Sequence, residues 1–238
     1  AKQTTAIGKI ILQQTRITAQ NKDSIRQCLA AAIKKTGLQC LNWSSQARSL
    51  QQRVQFININ FANDSKIKQQ FAGTQLPDFS DDCLLNTLSK WLQPYLTNEN
   101  SISSCQKLDI YKLLLNQLDW SQQQILNKLA PEKITVPSGS VIRIDYSDPL
   151  TPVLAVRLQE VFGLYETPAV LNGHKKLMLH LLSPARRPMQ VTQDLNSFWQ
   201  TTYHDVKKEL RGKYKRHYWP DDPFTAKATS KTKKQMNR

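Results

Sequence analysis

The apolar pattern of this chain changes period once, and that change limits the fold more than any single motif. As far as about Pro131, apolar residues recur at helical spacing; from Ile134 they alternate, or come in short runs between turn signals. Ile25, Cys28, Leu29, Ala32 and Ile33 form one stripe on a helix expected over 23–35, capped by Asp23 and ended by Gly37. A second helix is expected after Trp43-Ser44-Ser45, with Ala47, Leu50, Val54 and Ile57 inward. Residues 58–75 are Asn- and Gln-rich and read as a loop or irregular helix. Ser80 caps the next helix, where Asp81 and Asp82 complement the dipole and Leu84, Leu85, Leu88, Trp91, Leu92 and Tyr95 share a face. Two more helices follow over 107–118 and 121–129, the latter opened by the capping-box spacing Ser121…Gln124.

Beyond the switch, Ile134 and Val136 pair across Pro137-Ser138-Gly139-Ser140 with Ile142, Ile144 and Tyr146 in a half-buried hairpin. Thr151-Pro152 reads as the start of a short helix ended by Gly163. Residues 169–171 and 177–182 flank Asn172-Gly173, a type I′ turn signal, and Met189–Thr192 reads as a strand. Asp194 caps a last helix that runs to about Arg211, before Gly212. Near the start, Ile7–Leu12 reads as one short strand. The expected class is therefore α+β: a residual strand of a truncated upstream domain in 1–20, an all-helical module in 21–131, and a small mixed α+β module in 132–223. That last module carries antiparallel hairpins and a long C-terminal amphipathic helix, and 224–238 is expected to be a disordered basic tail.

Charge says what such a fold meets. Lys and Arg number 33 against 18 Asp and Glu, a net charge of +15. The excess is uneven: +9 over residues 1–70, −2 over 71–184 and +8 over 185–238. Basic surfaces release counterions when they meet a polyanion, which points to nucleic acid. No apolar run is long enough to span a membrane, so no membrane partner is expected. The opening Ala1-Lys2-Gln3-Thr4 has neither an initiator Met nor a signal peptide, and reads as the start of a fragment of a longer chain. Cys28, Cys40, Cys83 and Cys105 have irregular spacing, so free thiols in a cytoplasmic protein are expected ahead of disulfides or zinc. Asn42-Trp43-Ser44 and Asn63-Asp64-Ser65 match the glycosylation pattern by chance.

Nothing in the chain assembles a catalytic constellation. A phosphate-cradling loop needs clustered glycines ending in Gly-Lys-Ser/Thr, yet the seven glycines are scattered. Gly8-Lys9-Ile10 and Gly212-Lys213-Tyr214 both fail to complete it. His174, His180, His204 and His217 lack the spacing of a catalytic zinc site. Ser138 is expected to be a turn residue rather than a nucleophile, and Asp145 and Asp148 to be solvated rather than a catalytic pair. No catalytic residue, metal ligand or cofactor is expected within these residues.

The basic end carries the best physical signal for binding. At 100° per residue, Leu195, Phe198, Trp199, Tyr203, Val206 and Leu210 fall within an arc of about 140°. Lys207, Lys208 and Arg211 fall outside it and form a cationic strip. Lys213, Tyr214, Lys215, Arg216, His217, Tyr218 and Trp219 follow, cations interleaved with aromatics. Such a run suits single-stranded nucleic acid, since cations hold phosphates while rings stack on bases. The alternative is that Tyr214, Tyr218 and Trp219 fold back onto the core. Arg186 and Arg187, between two prolines, add a second cationic point.

Several segments resemble one family. Leu182-Ser183-Pro184-Ala185-Arg186-Arg187-Pro188-Met189-Gln190-Val191-Thr192-Gln193-Asp194-Leu195 with Phe198-Trp199 is similar to the C-terminal signature of HrpB-type helicases. So are Val206-Lys207-Lys208-Glu209-Leu210-Arg211-Gly212-Lys213-Tyr214, Trp219-Pro220-Asp221-Asp222-Pro223, Val136-Pro137-Ser138-Gly139-Ser140 and the run from Leu154 to Gly163. The likeness is strong from about 132 to 223 and weaker from Trp43 to Trp120. It departs at Tyr214-Lys215-Arg216-His217, where the family has Tyr-Pro-Lys-His. The resemblance implies a DEAH/RHA ATP-dependent RNA helicase of superfamily 2, whose RecA-like motor domains lie upstream and use ATP and Mg²⁺. It implies a region that positions single-stranded RNA for those motors, or else a protein–protein or interdomain scaffold without RNA contact. The partners implied are nucleic acid and the motor domains of the same chain.

Overall fold

A computed structural model describes residues 2–16, 21–71 and 75–236. The chain divides into two compact units, one of residues 1–47 and 79–117, the other of 48–78 and 118–238.

In the first unit, β1 (Lys2–Ile7) and β2 (Ile10–Arg16) form an antiparallel hairpin rather than the one strand expected over 7–12. Gly8, at φ 60°, turns the chain in a conformation open to glycine without strain. The helix α1 (Lys22–Thr36) is capped by Asn21, whose side chain accepts from the Asp23 and Ser24 amides; Asp23 instead lies in the first turn. Gly37, at φ 90°, ends it as expected. The helix expected from Ser80 is broken into α4 (Asp81–Asn86), α5 (Leu88–Trp91) and a 3₁₀ turn over Gln93–Tyr95. Ser80 Oγ accepts from the Cys83 amide as its sequence position implies. Then come α6 (Ile102–Cys105) and α7 (Ile110–Leu115). Leu29, Ile33, Leu84, Leu88, Trp91 and Leu114 are among the buried residues of this unit.

Between these pieces, α2 (Ser45–Asn63) and α3 (Ser65–Gln70) carry helix through much of the stretch read as irregular. Side-chain amides make this possible by finding backbone partners: Asn58 Nδ2 donates to the Pro77 carbonyl, and Asn60 Nδ2 to those of Phe56 and Pro149. In the second unit, α8 (Trp120–Leu129) does carry a capping box, but it is Asp119 with Gln122 rather than Ser121 with Gln124.

The sheets of the second unit are short. The expected hairpin is present as β3 (Lys133–Thr135) and β4 (Val141–Arg143), paired antiparallel. The next segment corrects the reading: Val153–Arg157 is a strand, β5, followed by a 3₁₀ turn over Leu158–Val161, not a helix opened by Pro152. Its β-branched, alternately buried residues outweigh the proline signal, because β5 pairs parallel with β8 (Met178–Leu182). The Asn172-Gly173 hairpin shrinks to β6 (Ala169–Val170) and β7 (Lys175–Lys176), while β8 leaves it to pair antiparallel with β9 (Pro188–Thr192). Thus the central sheet, ordered β5-β8-β9, is mixed.

The C-terminal helix is likewise divided at Thr202 into α9 (Leu195–Thr201) and α10 (Tyr203–Lys213). Gly212 lies within α10 rather than after it. Residues 224–236, expected to be disordered, are anchored at three positions: Phe224 stacks on Tyr165, Ala226 and Thr229 are buried, and the exposed α11 (Lys233–Met236) ends the described chain. Gly163 permits this packing. Its amide donates to the Pro223 carbonyl, and a Cβ there would lie 3.3 Å from the Ala226 carbonyl at a φ of 76°.

Candidate nucleic-acid interface

α9 and α10 are held by an aromatic cluster. Trp199 lies 5.3 Å from Tyr203 and 5.9 Å from Phe162, centroid to centroid, and its Nε1 donates to the Leu164 carbonyl. Tyr203 OH donates to the Pro220 carbonyl, and burial pushes its pKa well above the ordinary tyrosine value. Tyr203, Val206 and Leu210 are buried, which fixes the opposite side of α10 toward solvent.

The exposed side is where the predicted cations separate by role. Lys208, Arg211 and Lys215 are exposed and have no ion-pair partner among the described residues. Together with Lys207, Gly212 and Lys233 they line one open groove of about 640 Å³. Lys207 is different, with a side chain only 13% exposed. Its Nζ lies 2.8 Å from Asp221 Oδ1 and 5.8 Å from the centre of the Tyr203 ring. That hydrogen bond, and then the ammonium charge, hold the Asp221 carboxyl below its ordinary pKa. Lys213 pairs with Glu209 at 2.7 Å. Arg216 is exposed outside the groove, and its carbonyl accepts from the Lys233 amide. Sequence reasoning missed Lys233, because helical angles cannot bring the tail back across α10.

The aromatic half of the predicted exit is turned inward. Trp219 is 8% exposed and its Nε1 donates to the Tyr214 carbonyl. Tyr214 OH donates to Ser183 Oγ at 3.3 Å, and Tyr218 meets the Phe162 ring edge-on at 6.5 Å. All three rings make packing contacts; Trp219 is buried, while Tyr214 and Tyr218 are half-buried. His217 lies between Tyr214 and Trp219, its buried Nδ1 without a hydrogen-bond partner. Burial, and secondly the Arg157 charge, push its pKa down.

Arg186 and Arg187 sit on the β8–β9 turn, where the Ser183 amide donates to the Arg187 carbonyl and the Arg186 amide to that of Ser183. Arg186 has φ 60°, a conformation that costs a non-glycine residue roughly 1 kcal/mol. Both side chains are exposed. Arg186 lines a second open groove, of about 600 Å³, with Ser140, Arg143, Arg157, Glu160 and Ser230 among its walls.

Neither of the two glycine-lysine pairs is placed as a phosphate cradle. Gly8 lies in a hairpin turn and Gly212 inside a helix, so neither makes a phosphate-cradling loop at a helix start. Among the described residues no group of three His, Cys, Asp or Glu is placed to hold a metal ion. Ser138 donates to Ser140 Oγ at 3.0 Å, while Asp145 and Asp148 accept from the Ser147 and Leu150 amides as turn residues do. All four cysteines are free, and no described helix is long and apolar enough to cross a membrane.

Known proteins resemble the whole of this arrangement. A family model described as ATP-dependent helicase C-terminal matches residues 91–223. An Escherichia coli K12 protein named ATP-dependent RNA helicase HrpB is 37% identical over 233 residues, 96% of this chain and 27% of the relative. The crystal structure of the E. coli DExH-box NTPase HrpB superposes with a TM-score of 0.78 at 36% identity, covering 97% of this chain and 27% of that one. A second crystal structure, of the E. coli DEAH/RHA helicase HrpB, gives 0.67 at 34% identity, covering 92% and 26%. The chain thus spans about a quarter of the length of these relatives.

Proposed function

The chain belongs to the HrpB-type ATP-dependent helicase C-terminal family, and from that premise we propose that its second unit holds single-stranded RNA by the phosphate backbone. The observation that carries this reading is the convergence of Lys208, Arg211 and Lys215, all without an ion-pair partner among the described residues, with Lys207 and Lys233 in one open groove. Five cations with one carboxylate partner leave a local field that attracts a polyanion. Because Trp219 is buried and Tyr214 and Tyr218 pack inward, the strand is held by charge rather than by stacked bases. Sequence-independent binding follows, since phosphate contacts position a strand without reading it. RNA is favoured over DNA by the relative's name, and RecA-like motor domains using ATP and Mg²⁺ would lie elsewhere in the same cytoplasmic protein.

The test is RNA binding by the 238-residue chain, followed by fluorescence anisotropy from about 50 to 200 mM salt. Each phosphate contact adds about 0.7 to the salt slope for single strands, so K208Q/R211Q/K215Q should lower the slope by about 2. At roughly 0.1 M salt that amounts to about a hundredfold loss of affinity. Unchanged affinity and slope would overturn RNA contact and leave the groove as a docking face for protein, the scaffold role.

A further inference from the structure

We infer that the groove beneath the β8–β9 turn is a second phosphate-binding site, and that the packed C-terminal segment joins it to the α10 groove as one track; this rests on the reading of the α10 groove above.

Arg157 and Arg186 line the second groove and have no ion-pair partner among the described residues. Its third arginine, Arg143, is paired with Glu132 at 2.7 Å. The one carboxylate on the wall, Glu160, is 5% exposed and already occupied. Its Oε1 accepts from Ser140 Oγ at 2.8 Å and its Oε2 from the Arg157 amide at 3.3 Å. The acid thus holds the Ser138-Gly139-Ser140 turn and the start of the 3₁₀ turn in place, while both free guanidiniums remain available to an anion. Arginine suits this role, because its planar fork matches two phosphate oxygens at once.

Arg186 supplies a second, independent observation. It adopts φ 60°, where glycine would rest without strain, yet the position carries a long cationic side chain. The turn's own hydrogen bonds, Ser183 amide to Arg187 carbonyl and Arg186 amide to Ser183 carbonyl, hold Arg186 in this conformation and so fix where its exposed side chain leaves the backbone.

Continuity comes from the tail. Ser230 lines the arginine groove and Lys233, three residues on, lines the lysine groove. Both ends of this short strip are pinned, Thr229 by its amide to the Gln159 carbonyl and Lys233 by its amide to that of Arg216. Three residues of extended chain reach at most about 10 Å, so the two grooves open close to each other. A strand leaving Lys208, Arg211 and Lys215 can pass along Ser230–Lys233 to the arginines.

The experiment compares oligouridylates of about 4 and about 12 nucleotides, bracketing the usual site size of small single-strand binders. R186G removes the charge and the strain together. Its affinity for the longer oligomer should fall about fivefold at roughly 0.1 M salt, with a melting temperature no lower than that of the parent. R157Q/R186G should lose about 25-fold and cancel most of the advantage of the longer oligomer. If both variants bind both oligomers like the parent while K208Q/R211Q/K215Q binds weakly, the second site is refuted and the first stands. If all three variants bind like the parent, the reading of the α10 groove falls with it.

Discussion

The chain is nearly as basic over its first 70 residues, at +9, as over its last 54, at +8, but the two stretches use their charge in opposite ways. In the first, Arg26 and Arg53 are used inside the fold. Arg26 donates to the Leu96 carbonyl and pairs with Asp23, and the 7%-exposed Arg53 donates to the Ala130 carbonyl and to Asn127 Oδ1. Its exposed lysines are scattered over a hairpin, α3 and the ends of α1, where Lys34 and Lys35 offset the helix dipole. In the second, Lys208, Arg211, Lys215 and Arg186 have no ion-pair partner among the described residues and are gathered into grooves. Net charge alone does not locate a polyanion site; the fold decides which cations become mortar and which remain free.

Four substitutions probe that contrast, and the largest effect is expected at a predicted binding residue. Trp219→Ala should cost about 4 kcal/mol in denaturant unfolding, as loss of a buried tryptophan does. A rigid, stable W219A chain that simply bound RNA more weakly would return Trp219 to the stacking role. Arg53→Met should cost about 3 kcal/mol by stranding two acceptors, yet leave the salt slope of RNA binding unchanged in the folded fraction. A shallower slope with unaltered stability would erase the distinction between the two basic stretches.

Smaller effects concern titration and pairing. His217 has a folded pKa below its ordinary 6.5, so its neutral form contributes stability that is complete above that value. This contribution is lost as the pH falls from there through the folded pKa. His217→Gln should flatten the fall in melting temperature below about pH 6.5, and an unchanged profile would assign that fall to the carboxylates. Asp221→Asn should release Lys207 from its partner, adding about 0.7 to the salt slope and about fivefold to RNA affinity at roughly 0.1 M salt. Among the described residues Lys207 is the one α10-groove cation with a carboxylate within ion-pair distance, so an unchanged affinity would mean that the Tyr203 ring, not Asp221, keeps it from RNA.

The helical half was legible because amphipathic periodicity records which face is buried, though Cys28 and Tyr95, placed on those faces, are exposed. Ser80 as a cap, Gly37 as a stop and the stripe through Leu29 and Ile33 all stand where local chemistry puts them. Errors came where the signal was ambiguous. Val153–Arg157 followed a helix-start proline but was drawn into a sheet by β8, whose paired residues lie 25 positions later in the chain. Asp119 took the cap from Ser121, since either spacing satisfies the same motif. Thr202 broke a helix whose apolar arc continued on both sides.

By itself, the sequence determined the α+β class, the family, the apolar face of the last helix and the concentration of cations beyond it. These follow from period, composition and local motif, which act over a few residues. Only the tertiary structure decided that Trp219 faces inward, that Lys207 and Lys213 are paired while Lys208 and Arg211 are not, and that the tail folds back to place Lys233 in the α10 groove. Those outcomes depend on contacts between residues distant in the chain. Whether a ring is buried or a cation neutralised is settled by what the fold brings within a few ångströms of it.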